Sequence, residues 1–403
     1  MAKVIVIGAG ASGLMAACVA SQNGHEVALF EKNEQLGKKL QLTGHGRCNI
    51  TNKCSKDDFF KHVVHNEKFL YSAFSQFSNM DMIDFLKQHG MVTVEEDQGR
   101  MFPSSQSAKD VVLMFVNLLK ENRVKLHMNE ACQKLIIEDN AIQGIETEKK
   151  RYPCDVVIVA TGGKSFESTG STGDGYTWAR QAGIQVSDVY PGLVSLKTVE
   201  NFDLAGLSLK NIGIQVKKEK KTLYKGNGDI LFTHQGLSGP AILAMSSYVM
   251  NQSPQRIILD LIPSKTVDEV DHLLLKNMDQ SLNQTFKHVL DHLIPKRLSQ
   301  YVLSTLSISE TIKVHETTKK QRRSVAELLK NCSFQILEFG NFNEAMITVG
   351  GIKTNQINPK TMESKNIQGL KFVGEVLDLD AQTGGYNLQI AWTTGFVAAN
   401  TIW

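Results

Sequence analysis

Most features that would announce a familiar class of function are absent from this 403-residue sequence. Its six cysteines (Cys18, Cys48, Cys54, Cys132, Cys154 and Cys332) are scattered, with no C-x-x-C pair. That excludes a disulfide framework and fits the reduced thiols of a cytosol, so a cytoplasmic protein is expected. No apolar run reaches the roughly 18 residues of a membrane helix. The apolar start is short and runs straight into a glycine turn, so it reads as a core strand and not a signal peptide. The formal charge is only +3 with 21% charged residues, which gives no broad field for nucleic acid or membrane. The basic runs Lys217–Lys221 and Lys319–Arg323 are short, separate, and read as solvated faces. His288 and His292 lie one helical turn apart without a third ligand, so no metal site is expected. Gly236-Leu237-Ser238-Gly239 lacks the strand-to-helix setting of a serine nucleophile. Repeats and low-complexity segments are also missing.

What is present begins at the first residues, MAKVIVIGAGASGLMAACVASQNGHEVALFEKN. Val4 to Ile7 are β-branched and unbroken, as in a parallel strand buried on both faces. Gly8, Gly10 and Gly13 follow as G-x-G-x-x-G, then a small-to-apolar helix ending near Gly24, then a second strand over 26–32. Gly8 permits a tight turn, Gly10 lets backbone amides approach a phosphate, and Gly13 lets the helix pack against the sheet. The helix N-terminus offers free N–H groups and partial positive charge to a pyrophosphate. Glu31 follows Gly13 by eighteen positions, where a carboxylate can accept from both ribose hydroxyls and would repel a 2′-phosphate. The turn alone fits NAD or the ADP half of FAD. Three further segments favour the longer ligand: the polar loop 37-GKKLQLTGHGRCNITN-52, the buried strand 156-VVIVATGG-163, and 370-LKFVGEVLD-378 running into 384-GGYNLQIAWTTGFVAA-399.

With GDILFTHQGLSGPAIL and ITVGGIKTNQINPKTMESK, these stretches give a resemblance that spans the chain. The sequence resembles the FAD-dependent oxidoreductases with a glutathione-reductase-like FAD fold. More narrowly, it is similar to the bacterial flavoprotein family that includes aminoacetone oxidase and a bile-acid dehydro-steroid reductase. The resemblance implies a discontinuous Rossmann-like α/β domain holding non-covalent FAD. Gly8, Ala9, Gly10, Ala11, Ser12 and Gly13 would wrap the pyrophosphate, and Glu31 would take the adenosine ribose. Lys32, Lys38 and Lys39 would lie where the loop passes the adenosine. Arg47 and Asn49 would run beside the flavin and its phosphates. Ala131 and Cys132 would offer backbone to adenine, and Thr161 and Gly162 would cross the cofactor near its middle. Gly374 and Glu375 match a Gly-Asp whose carboxylate holds a ribitol hydroxyl or phosphate. Asn387, Leu388 and Gln389 would open a helix aimed at the flavin N1–C2 edge, where reduction builds negative charge.

The texture changes near Tyr190-Pro191-Gly192, a boundary signal. Alternation over 208–236 predicts paired strands, with Lys225-Gly226-Asn227-Gly228 as their turn. Apolar residues at three- and four-residue steps predict helices over 266–305, and an amphipathic helix over 105–122 begun by Ser107 and Asp110. The expected division is an FAD domain (1–190 and 343–403), a β-barrel-like substrate domain (191–264 and 325–342) and a helical subdomain (265–324).

The candidates for chemistry are Tyr386 beside the flavin-facing helix start, His234 in the FTHQG turn, and Cys48 as a pocket-lining thiol; Cys48 and Cys54 are spaced C-x5-C and read as two ordinary thiols. A second dinucleotide fingerprint is missing, so NAD(P)H is expected as a transient reductant at most, with dioxygen as the alternative oxidant. The expected protein is an FAD-dependent oxidoreductase acting on a small organic substrate by amine oxidation or enone reduction, without a nucleic-acid or membrane partner. A flavoprotein that modifies or binds RNA is the alternative.

Overall fold

The computed structural model describes every residue except Asn201. Among the described residues the chain forms two compact units, Met1–Gly192 with Asn341–Trp403, and Leu193–Gly340. The first is built on a parallel sheet in the order Leu370–Phe372, Val156–Val159, β1 (Lys3–Ile7), β2 (Glu26–Glu31), Lys125–Met128. Val6 sits between Ile158 and Leu29 in register, which is why the central strands are apolar on both faces. α1 (Ala11–Gln22) packs against the closing helix Tyr386–Asn400. Their approach is close because a Cβ on Gly395 would strike the Ser12 carbonyl oxygen.

The closing helix ends on a buried lysine. Lys371 Nζ donates to the carbonyls of Ala398 at 2.8 Å and Thr401 at 3.2 Å, and to Thr401 Oγ1 at 3.0 Å. A cation there meets the unpaired carbonyls and the negative end of the helix. Burial lowers its pKa to about 8.

The second unit contains a closed barrel of strands Leu196–Thr198, Ser208–Lys218, Lys221–Phe232, Gly236–Ser238, Arg256–Asp260 and Cys332–Phe339. The predicted turn is misplaced. Lys225–Gly228 lie inside a strand, with Asn227 opposite Gly213 and Gly228 opposite Ile212, and the chain reverses at Glu219–Lys220. The glycine signal at Gly228 has another cause: a Cβ there would come within 2.8 Å of Ala241 Cβ on the helix Pro240–Val249. Gly228 therefore serves helix-on-strand packing. The helices expected over 266–305 are Val267–Asp279, Phe286–Asp291 and Lys296–Thr305. Their buried faces share one apolar core with the barrel, through residues such as Val270, Leu274, Leu303, Ile257 and Phe334. No described helix is long and apolar enough to cross a membrane.

Candidate functional site: a dinucleotide cradle

The turn after β1 has three glycines with three separate jobs. Gly8 has φ +99°, and a Cβ there would come within 2.6 Å of the Ala160 carbonyl oxygen. A Cβ on Gly13 would strike the carbonyl oxygen of Gly8 itself. Gly10, the N-cap of α1, has nothing within 4 Å of its Cβ position. Two glycines thus shape the turn, and the third leaves open space at a helix N-terminus whose first turn carries no acidic residue. That space and that polarity fit a pyrophosphate. Ala9 is fully buried, and its N–H donates to Glu31 Oε2 at 2.9 Å; the other carboxylate oxygen accepts from Asn33 N and Nδ2 at 2.9 and 2.7 Å. Glu31 therefore ties the end of β2 to the turn. Ser12 is buried beneath Gly374 (φ +74°), where a Cβ would lie 2.5 Å from Ser12 Oγ. Ala11 packs at the same helix start.

Lys39 and Glu375, 336 positions apart, form an ion pair of 2.7 Å. Glu375 Oε1 also accepts from Ser165 Oγ and Thr348 N, each at 2.7 Å. Burial raises the Glu375 pKa, but Lys39 and these donors outweigh it and the pKa is lowered, so the carboxylate is charged. Its oxygens are thus engaged by protein donors that the sequence did not reveal. Lys32 Nζ holds Thr172 Oγ1 at 2.5 Å and Asp174 Oδ2 at 2.8 Å, while Lys38 is exposed. Arg47 pairs with Glu96 at 2.8 Å, bonds Gln106 at 3.0 Å and lies over the Phe102 ring at 4.3 Å.

The 384-GGYNLQ-389 turn is fastened from several sides. Asn49 bridges Thr51 O and Gly385 N at 3.1 Å each in the amide orientation that satisfies both. Asn387 clamps Ala381 through its N–H and carbonyl, at 2.9 and 2.7 Å. Gln389 is fully buried and accepts from Thr51 Oγ1 at 2.7 Å; Leu388 is half-buried beside it. The first turn of this helix also carries no acid, so its positive end is uncompensated. A bound isoalloxazine ring whose N1–C2 edge met it would have its reduced, anionic form favoured. Thr161 Oγ1 is buried without a hydrogen-bond partner and packs toward Gly175; Gly162 has φ +70°.

The candidate catalytic groups sit differently. Tyr386 stacks on His62 (4.3 Å between centroids, 9° between planes), and burial pushes its phenol pKa up. Cys48 is fully buried in a left-handed conformation (φ +62°), with its thiol pushed up to about 12 by burial, so it is neutral and unreactive near neutrality. Cys54 is free as well. His234 is exposed in the turn between two barrel strands of the second unit. Ala131 is exposed, and Cys132 is buried with its thiol likewise pushed up to about 12 by burial.

Beside Ala131 lies a set that sequence patterns did not flag. Glu130 is buried and takes hydrogen bonds from Thr147 (2.8 Å), Tyr152 (2.8 Å) and Lys149 (3.0 Å), with His127 at 3.3 Å stacked on Phe30. Burial raises the Glu130 pKa, yet these bonds hold it down to about 2. Its folded pKa lies below the ordinary 4.5, so its contribution is complete above that value and is lost as pH falls toward 2. Glu130→Gln should therefore be less stable than wild type at pH 7, with the gap closing between pH 4.5 and 2 in urea denaturation at stepped pH. A gap independent of pH would show that the carboxylate charge is not what stabilises the site.

Comparison with known proteins places the chain in a family. The model of the HI0933-like protein Rossmann domain family matches residues 2–401. The chain is 29% identical to the ribosomal RNA dihydrouridine synthase of Escherichia coli, over 99% of this chain and 97% of that one. It is also 29% identical to the 3-dehydro-bile acid delta(4,6)-reductase of Clostridium scindens, over 99% and 98%. Among solved structures, the 3-ketosteroid delta1-dehydrogenase of Sterolibacterium denitrificans shares the fold, with TM-score 0.54, 13% identity, and coverage of 99% of this chain and 98% of that one.

Proposed function

This chain belongs to the HI0933-like Rossmann-domain family and is an FAD-dependent oxidoreductase, and on that premise we propose that it reduces a conjugated C=C bond. When bound, FAD supplies the hydride. The residues that would hold it are the Gly8–Gly13 turn, Glu31, and the helix start at Asn387–Gln389. They would hold it through backbone N–H groups and the positive ends of two helices whose first turns carry no acidic residue. The observation carrying the direction of the reaction is the pair of relatives matched over nearly their whole length: the names delta(4,6)-reductase and dihydrouridine synthase both denote adding two hydrogens across a ring C=C. Of amine oxidation and enone reduction, this supports the second, with NAD(P)H as the source of electrons.

The test is anaerobic. Purified yellow protein should be bleached by NADPH or NADH and not by amines, and the bleached form should regain its colour with a 3-oxo-Δ4,6 bile-acid dienone or another ring enone. Bleaching by an amine alone would reverse the assignment.

The rRNA-named relative favours a second reading, in which the reduced ring is a uracil within RNA. The basic runs, read from the sequence as solvated faces, give it little support. Arg322 is buried in a bidentate pair with Asp271, and Arg323 is paired with Asp268 and Glu327, so two of those charges serve the fold. Under this reading, unmodified ribosomal RNA transcript and not the dienone would reoxidise the bleached enzyme, and binding would weaken steeply with salt.

A further inference from the structure

A second histidine–carboxylate arrangement lies one residue from Ala381, which is clamped to the helix start, and no role has yet been given to it. The short strand Val63–His65 pairs antiparallel with Asp380–Ala381, with His65 opposite Asp380. His65 Nδ1 lies 2.6 Å from Asp380 Oδ1. Asp380 is 1% exposed, and its second oxygen is buried with no hydrogen-bond partner. The His65 side chain is 32% exposed. The two strands are tied at both ends: Gln382 N donates to His62 O at 2.9 Å, and Asn66 Nδ2 to Asp378 O at 2.6 Å. Ala381, the next residue, is the one that Asn387 clamps to the first turn of the closing helix.

We propose that His65 is the proton donor of the reduction and that Asp380 is the positioning residue that fixes its ring and tautomer. This rests on the proposed C=C reduction. In that step FAD, when bound and reduced, would supply the hydride to one carbon, and His65 Nε2–H gives its proton to the other. The N–H electron pair stays on the imidazole, the C=C π bond becomes the new C–H bond, and solvent reprotonates His65. Asp380, accepting from Nδ1–H, leaves Nε2 as the donor atom and stabilises the imidazolium before transfer. The bland alternative is a strand-to-strand bond that only secures the fold. Burying a carboxylate with one oxygen unpaired is a costly way to achieve that, since an apolar pair would close the strands more cheaply.

The surroundings set the sign of the pH effect. His65 faces Asp380, with Asp378 on the same segment. Glu375, paired with Lys39, adds a like charge to the field at Asp380. The preceding helix Lys56–Lys61 carries Lys56 and Asp57, and its Asp58 and Lys61 pair with each other; His62 follows it and stacks on Tyr386 of the closing helix. Asp380 holds the His65 pKa above its ordinary value. A protonated donor is therefore available below the raised pKa and is lost as pH rises through it. Removing the Asp380 charge moves that limb to lower pH.

The experiment uses FAD-loaded enzyme, wild type, His65→Gln and Asp380→Asn. Each is reduced with dithionite and mixed anaerobically with the dienone or with unmodified ribosomal RNA transcript. We expect His65→Gln to keep its flavin and its far-UV spectrum, to reoxidise on the order of 100-fold more slowly, and to lose the alkaline limb of the rate profile. Asp380→Asn should keep a limb, shifted to lower pH. Wild-type rate and limb in His65→Gln would overturn the assignment. If neither probe reoxidises the wild type, the C=C reading fails. The placement of His65 is then judged by the ring ¹⁵N titration of its imidazole in oxidised and reduced holoenzyme. A midpoint that rises on reduction supports a location beside the added negative charge. An unchanged midpoint overturns it.

Discussion

Gly10→Asp should fold as well as the wild type and come off the purification column colourless. Gly10 is the N-cap of α1 with φ −77° and ψ −171°, a conformation aspartate adopts readily, and its Cβ direction is open. Asp is among the best N-cap residues, so helix stability should be unchanged or higher by about 0.5–1 kcal/mol. The same carboxylate would occupy the space assigned to the pyrophosphate. Two like charges about 4 Å apart near a protein surface repel by about 4 kcal/mol, or roughly 10³-fold in affinity. Gly13→Ala has the opposite signature, because its Cβ meets the Gly8 carbonyl and the turn itself must shift. The pair of variants separates a turn built for a ligand from a turn built for packing. Flavin absorbance per mole and apoprotein melting temperature read the two effects. A yellow Gly10→Asp protein would remove the cradle from the account.

Arg322→Met should cost the Leu193–Gly340 unit about 3–5 kcal/mol, the usual penalty for orphaning one partner of a buried ion pair. Arg322 Nε and Nη2 bond the two oxygens of Asp271 at 2.9 and 3.1 Å, and both residues are 9% exposed. The loss comes mainly from leaving Asp271 buried and charged without its bidentate partner. Replacing both residues, Asp271→Leu with Arg322→Met, should therefore recover most of it. Chemical denaturation of the single and double variants measures the difference. A single variant within 1 kcal/mol of wild type would mean that water reaches the pair. The result bears on function too, since a structural Arg322 contributes little to any anionic surface.

The sequence carried the cradle because its constraints are local. A β-branched run, glycines at fixed offsets and a carboxylate at the end of β2 all lie within 31 residues, and each follows from backbone sterics or helix-end polarity. The closing helix was legible for the same reason, as glycines precede an apolar run. Local reading failed at Lys225–Gly228. A glycine signals either a reversal or a close approach, and only the helix Pro240–Val249 lying over the strand decides which. It was silent on the donors that engage Glu375, since Lys39, Ser165 and Thr348 come from three other segments. The His65–Asp380 contact spans 315 positions. Asp380 stood within the motif-bearing stretch, but a lone histidine in VVH carries no signal of its own.

By itself, then, the sequence determined the family, the change of texture near Tyr190 and a glycine turn of the kind that suits a dinucleotide, since those depend on short-range rules of chain geometry. Which ionisable groups face one another, which charges are spent on folding and which thiols are too deeply buried to react were decided only by tertiary structure. Those properties depend on desolvation and on distances between segments hundreds of residues apart, and no spacing along the chain encodes them.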